Sequence, residues 1–175
     1  MTSQKGLSLL KVVSEYIAKT HGFDRVLEKV KIVSGGEGLC RAEFKVEQEH
    51  LNAGGGLHGG FTATLVDCIS TYALMTQSHP VSGAVTNAGV SVDIHISYLK
   101  GAREGEDIVV DAKTVKAGKN LAFLEVEIKK KSSNDVIVKI LNYSLQYELF
   151  GYPIWSIIRL KLPQKGMHFF EIIVK

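Results

Sequence analysis

A glycine-dense stretch, Asn52-Ala53-Gly54-Gly55-Gly56-Leu57-His58-Gly59-Gly60, runs into Phe61-Thr62-Ala63-Thr64-Leu65-Val66-Asp67. The second part reads as a helix that is apolar on nearly every side, and such a helix is a buried one. A carboxylate inside it needs a partner or a task. Glycines let a substrate come close to the backbone, and a helix start offers free N–H donors at a positive dipole end. Donors at one end and the Asp67 carboxylate further along are parts for chemistry at an acyl carbonyl. No G-x-S-x-G elbow is present, so a serine-hydrolase triad is not the expected arrangement.

Spacing constrains how these parts can cooperate. Gly59 and Asp67 are eight residues apart, about 12 Å along a helix axis. A water attacking a carbonyl must lie about 3 Å from it. One helix therefore does not readily bring donors and base to the same substrate. Two antiparallel helices from two copies of the chain do, and a two-fold axis then makes two sites.

The elements around this unit follow from periodicity. Leu7, Leu10, Val13, Tyr16 and Ile17 recur at helical spacing, so residues 6–20 read as an amphipathic helix ended by His21-Gly22. Residues 24–27 read as a short turn of helix or loop. Residues 29–34 and 39–46 read as strands joined by Gly35-Gly36-Glu37-Gly38, and residues 59–77 as the buried helix. Residues 78–88 read as a loop. In residues 90–99, Val90, Val92, Ile94, Ile96 and Tyr98 alternate with Ser91, Asp93, His95 and Ser97, which predicts a half-buried antiparallel strand with Ser91 on its polar face. Asp93 and His95 are read as solvent-facing. Residues 105–116, 121–130 and 135–147 read as three further strands. The fold class is α+β, an antiparallel sheet wrapped around a long central helix.

At 175 residues, 45% hydrophobic and 22% charged, the chain fits one globular domain. A net charge of +3, with Lys129-Lys130-Lys131 as its densest basic run, is not the footprint of a nucleic-acid binder. Cys40 and Cys68 have no metal-like spacing and read as free thiols of a reducing compartment. No apolar run approaches the roughly 20 residues of a membrane span. The first 20 residues carry three lysines, one Glu and no arginine. They read as a surface helix, with a mitochondrial address as the alternative, so the expected location is the cytoplasm or the mitochondrion. Residues 140–175 hold seven of the fourteen aromatics and two of the three prolines, with no amphipathic period. The expected division is therefore an N-terminal helix over 1–24, a domain over 25–139, and an atypical aromatic-rich segment over 140–175.

The string from His50 through Asp67 to Thr71 resembles the hot-dog acyl-CoA thioesterases. Three further pieces carry the resemblance: Gly89-Val90-Ser91-Val92-Asp93-Ile94-His95-Ile96-Ser97-Tyr98, Gly105-Glu106-Asp107-Ile108-Val109, and Lys116-Ala117-Gly118-Lys119-Asn120-Leu121-Ala122-Phe123. It spans residues 7–139 and departs from the family beyond them, and residues 78–88 make a longer loop than the family has there. The resemblance implies a hot-dog fold, a homodimer or a dimer of dimers, and hydrolysis of medium- to long-chain fatty acyl-CoA to free acid and CoA. It implies that Asn52 and the Gly59 N–H polarise the thioester carbonyl, that Asp67 and Ser91 orient and activate water, and that His58 shapes the loop before the helix. It also implies CoA contacts from Tyr98, Leu99, Lys100, Gly101, Ala102 and Arg103, and from Lys116, Ala117, Gly118, Lys119, Asn120 and Leu121. No cofactor or metal is expected, since CoA is part of the substrate. Two other readings stand beside this one. A hot-dog acyl-CoA dehydratase would use His58 with Asp67. A non-catalytic acyl-CoA-binding or interaction protein would follow if the substituted C-terminal segment blocked assembly.

Overall fold

The computed structural model describes residues 4–18, 22–77, 89–118 and 120–145. The expected loop over 78–88, Lys119 and the aromatic-rich stretch from 146 onward lie outside the described residues. The elements are α1 (Gln4–Ala18), a 3-10 turn (Phe23–Leu27), β1 (Lys31–Gly36), β2 (Leu39–Lys45), a second 3-10 turn (Gln48–His50), α2 (Gly59–Met75), β3 (Val90–Tyr98), β4 (Asp107–Ala117), β5 (Leu121–Lys130) and β6 (Val136–Leu145). The six strands form one antiparallel sheet in the order β1-β2-β4-β5-β6-β3. This is the expected α+β hot-dog architecture.

α2 lies against the inner face of the sheet because its apolar side chains cover most of its circumference. Leu65, Val66, Ile69 and Leu74 are at most 1% exposed. Each such side chain contributes about 1.5–3 kcal/mol by leaving water. The inward positions of the strands meet the first three: Ala42 and Phe44 of β2, Ile108 and Val110 of β4, and Val126 and Ile128 of β5, while Leu74 packs with Ala122 and Leu124 of β5. The helix is not buried all round. Gly60 and Asp67 are exposed, and Ala63, Thr64 and Thr71 are half-buried. These recur at three- and four-residue spacing, so they make one open stripe along α2.

α1 packs on β1 with almost no side chain between the two backbones. A Cβ at Gly6 would sit 2.8 Å from the Gly36 Cα, and one at Gly35 would sit 2.4 Å from the Leu10 Cδ1. Leu10 and Val13 enter the core from this side. β1 continues through Gly35 and Gly36, which sequence reading assigns to the turn. Gly36 pairs with Leu39, so Glu37 and Gly38 alone make the loop, with φ of 54° and 80°. Two positive φ values are what a type I′ hairpin requires.

Two further expectations are corrected. The boundary after Lys139 falls inside β6, whose pairing with β3 and β5 runs to Leu145. Ile140, Asn142 and Ser144 are all buried, so the sheet extends into the segment assigned to an atypical tail. The alternation of β3 is also not continuous, because its register with β6 shifts between Ser91 and Asp93. A bulge adds one residue and reverses the phase of side chains across it.

Candidate active site

The glycine loop is pinned from several sides. The Asn52 Oδ1 accepts hydrogen bonds from the Gly54 N–H (2.8 Å) and the Gly56 N–H (3.2 Å), and Gly55 takes φ of 75°. The Leu57 N–H donates to the Ala102 carbonyl, and the His58 N–H to the His50 carbonyl, both at 2.8 Å. With its oxygen committed to the loop, the Asn52 amide has its Nδ2 as the group left to meet a substrate oxygen.

His58 is the N-cap of α2. Its Nδ1 accepts from the Gly60 N–H at 2.9 Å, the task Ser or Asp usually performs at a helix start. A Cβ at Gly60 would lie 3.0 Å from the imidazole, so glycine keeps the cap in place. No hydrogen bond among the described residues uses the Gly59 N–H. That donor stands at the positive end of a 17-residue helix. The Tyr98 hydroxyl donates to the Gly59 carbonyl at 3.0 Å and holds this end of α2 against β3.

At the other end of the open stripe, the Ser91 hydroxyl donates to the Asp67 Oδ1 at 2.6 Å. Sequence alternation assigns Ser91 to the face opposite Ile94 and Ile96. The bulge corrects this: Ser91 pairs with the buried Ser144, and Ile94 with the buried Asn142, so both point toward α2. Asp67 itself is exposed in the single chain, against the expectation of a buried carboxylate, because it lies on the stripe of α2 that the chain's own sheet does not cover.

Sequence reading missed two residues. Asn142, 1% exposed on β6, donates from Nδ2 to the Ser70 Oγ (2.8 Å) and the Ser91 Oγ (3.2 Å). The Ser70 hydroxyl donates in turn to the Asp67 carbonyl at 3.1 Å. The available signal was the inward face of β6 turning from Ile140 to Asn142 and Ser144. His50 is 2% exposed. It stacks on Phe61 with ring centroids 4.5 Å apart, meets Phe44 edge-on, and accepts the Glu47 N–H at Nδ1. Burial holds its imidazole below the ordinary pKa, against the opposing pull of Glu49 and Glu47. His50 supports the loop through its backbone carbonyl, which accepts from the His58 N–H.

The two groups of expected CoA contacts lie far apart in one chain. Residues 98–103 border the glycine loop: Tyr98 touches Gly59, Leu99 is exposed, Ala102 is buried, and Arg103 bridges to Gly56. Lys100 pairs with Asp135 at 3.0 Å, and Gly101 is exposed. Of residues 116–121, all but Lys119 are described: β4 ends at Ala117, β5 begins at Leu121, and the Gly118 N–H donates to the Leu121 carbonyl. Lys116 and Asn120 are exposed there, and Ala117 packs near Leu74. The 11 residues of β4 separate the two groups, about 35 Å at strand rise. Leu121 lies at the Ser91 end of the sheet, since it pairs with Leu145 and Leu145 with Val90.

Cys40 and Cys68 are free, and burial pushes both thiols up to about 12. Among the described residues no group of three or more His, Cys, Asp or Glu could hold a metal ion, and no helix is long and apolar enough to cross a membrane.

Comparison with known proteins shows the family and the fold. Residues 54–137 match the thioesterase superfamily model. The chain is 46% identical to human acyl-coenzyme A thioesterase 13 over 130 residues, 74% of this chain and 89% of that protein. The crystal structure of zebrafish thioesterase superfamily member 2 superposes with a TM-score of 0.75 at 41% identity, covering 81% of this chain and 98% of that one. The mouse thioesterase superfamily member 2 structure gives 0.73 at 41% identity, covering 84% and 100%. With its glycine loop, capped helix start and serine-held aspartate carried on a hot-dog sheet, the chain belongs to the thioesterase superfamily.

Proposed function

We propose that the chain hydrolyses medium- to long-chain fatty acyl-CoA to free acid and CoA, in a site shared by two copies. The observation that carries this reading is the Ser91–Asp67 contact at 2.6 Å, on the open stripe of α2 and about 12 Å along the helix from the Gly59 N–H, a donor unused among the described residues. Ser91 donates its proton to Oδ1 and leaves Oδ2 to take a proton from water. The resulting hydroxide attacks the thioester carbon. The oxyanion meets the Gly59 N–H and the Asn52 Nδ2 of the other copy. Collapse breaks the C–S bond, and the CoA sulfur receives the proton from Asp67. Each oxyanion donor is worth about 10²–10³ in rate, and the base about 10²–10⁴. The scheme uses no cofactor.

The sheet supports one arrangement of the two copies. β3 is its terminal strand, and Val90, Val92, Tyr98 and Leu99 on it and just beyond are 43–56% exposed. An open apolar edge of this length is a template for pairing. Antiparallel pairing of β3 with itself about Ile94 and His95 brings Ser91 opposite the partner's Tyr98. Asp67 then faces the partner's Gly59. The same rotation carries the partner's residues 98–103 toward residues 116–121, so the two expected CoA-contact groups converge on one ligand. Gly60, Ala63, Thr64 and Thr71 give the stripe small side chains, which leaves width for an acyl chain between the helices.

The test is release of free thiol from palmitoyl-CoA by the parent chain and by Asp67→Ala. The variant should lose at least about a hundredfold in kcat and keep the parent's oligomeric state. Near-parent turnover removes Asp67 from the chemistry. Hydration of an enoyl-CoA without thiol release identifies a dehydratase instead.

A further inference from the structure

We propose that Asn142 is a positioning residue for this reaction, holding Ser91 and Ser70 so that the Asp67 carboxylate keeps one orientation. The inference rests on the reading of Asp67 as the base. Its evidence is the direction of four hydrogen bonds. Ser91 gives its only proton to the Asp67 Oδ1, and Ser70 gives its own to the Asp67 carbonyl. Each serine oxygen can then only accept. The Asn142 amide supplies two N–H groups from one nitrogen, and both serine oxygens lie within its reach, at 2.8 and 3.2 Å. The reverse amide orientation would aim an oxygen at two acceptors, so the network itself decides how the side chain sits.

A purely structural role does not account for this residue. Asn142 pairs across the sheet with Leu124 of β5 and Ile94 of β3, and Ile140 precedes it on the same inward face. An apolar side chain would suit those neighbours. Among the described residues the buried Asn142 Oδ1 has no hydrogen-bond partner, and the neighbouring Ser144 Oγ is in the same condition. Unpartnered buried polar atoms cost stability. The polar choice occurs where β6 passes the one carboxylate of α2. Ser91 sits just before the bulge of β3, where side-chain phase changes, and Asn142 is the contact that keeps its hydroxyl aimed at Asp67.

The experiment compares thiol release from palmitoyl-CoA by the parent chain, Asn142→Leu, Asn142→Asp, Ser91→Ala, Asp67→Asn and the double variant Ser91→Ala/Asn142→Leu, each with its melting temperature. Asn142→Leu should lower kcat by about tenfold or more while KM stays within about twofold, the split of an interaction made in the transition state. Its melting temperature should hold or rise. The double variant should be no slower than Ser91→Ala alone, because residues acting through one another are not additive. If Asn142→Leu does not fold, Asn142→Asp, nearly isosteric and without the amide donors, is held to the same kcat and KM criterion. A kcat within twofold of the parent, or losses that multiply in the double variant, overturns the role of Asn142. Full turnover by Asp67→Asn would instead overturn the base, a different and separately visible failure.

Discussion

Subunit complementation tests the shared site most directly. The perturbations are Asp67→Asn in one chain and Asn52→Ala in a second, co-expressed under two different tags. In one chain the base and the helix-start donor lie about 12 Å apart along α2, four times the roughly 3 Å that attack on a carbonyl allows. Each homodimer should therefore be impaired at both sites. In the mixed dimer, Asp67 of the Asn52→Ala chain faces the intact loop of the Asp67→Asn chain, and one site of two is whole. Random assortment gives about half mixed dimers, so the pooled protein should show about a quarter of the parent's kcat per chain. Mixed dimers isolated by both tags should show about half. The assay is steady thiol release from palmitoyl-CoA. If base and donors belong to one chain, no mixed dimer holds a whole site, and activity stays at the level of the two single-variant homodimers. That result would refute the geometric argument.

Two other outcomes follow from groups outside the chemistry. The folded-state pKa of His50 is lowered by burial, so below about pH 6.5 the unfolded chain binds a proton that the folded chain resists. The melting temperature should fall as pH drops below that value, and His50→Gln should flatten the slope; an unchanged slope would mean His50 is not the group that titrates. Burial pushes the Cys40 and Cys68 thiols up to about 12. Native protein at pH 7.5 should therefore alkylate more slowly than the same chain in denaturant, most of all at Cys40, which is 2% exposed where Cys68 is half-buried; rapid native labelling of Cys40 would contradict its burial.

Much of the fold was legible because its signals are local. The glycine loop, the apolar run after it and the alternation of β2 and β5 depend on residues a few positions apart. Boundaries agreed to within two residues; at the first hairpin Gly35 and Gly36 extend β1 rather than join the turn. Glycine is a turn signal, but here it makes room for α1, whose Gly6 lies against Gly36. The strand β6 itself was legible, read over 135–147 and observed over Val136–Leu145, but the change of composition after Lys139 put a domain boundary inside it. Pairing with β3 and β5 carries that strand to Leu145 whatever follows it.

By itself the sequence determined that Asp67 follows a glycine-rich helix start on one helix, and that eight residues keep it out of reach of Gly59. Covalent geometry and helical rise suffice for that. Only the tertiary structure decided that Ser91 faces Asp67, because a bulge in β3 reverses the strand's phase and no local pattern announces it. Only the tertiary structure brought Asn142, 75 positions along the chain from Asp67, behind that serine. Contacts of this kind arise from cross-strand register, which the whole sheet sets at once.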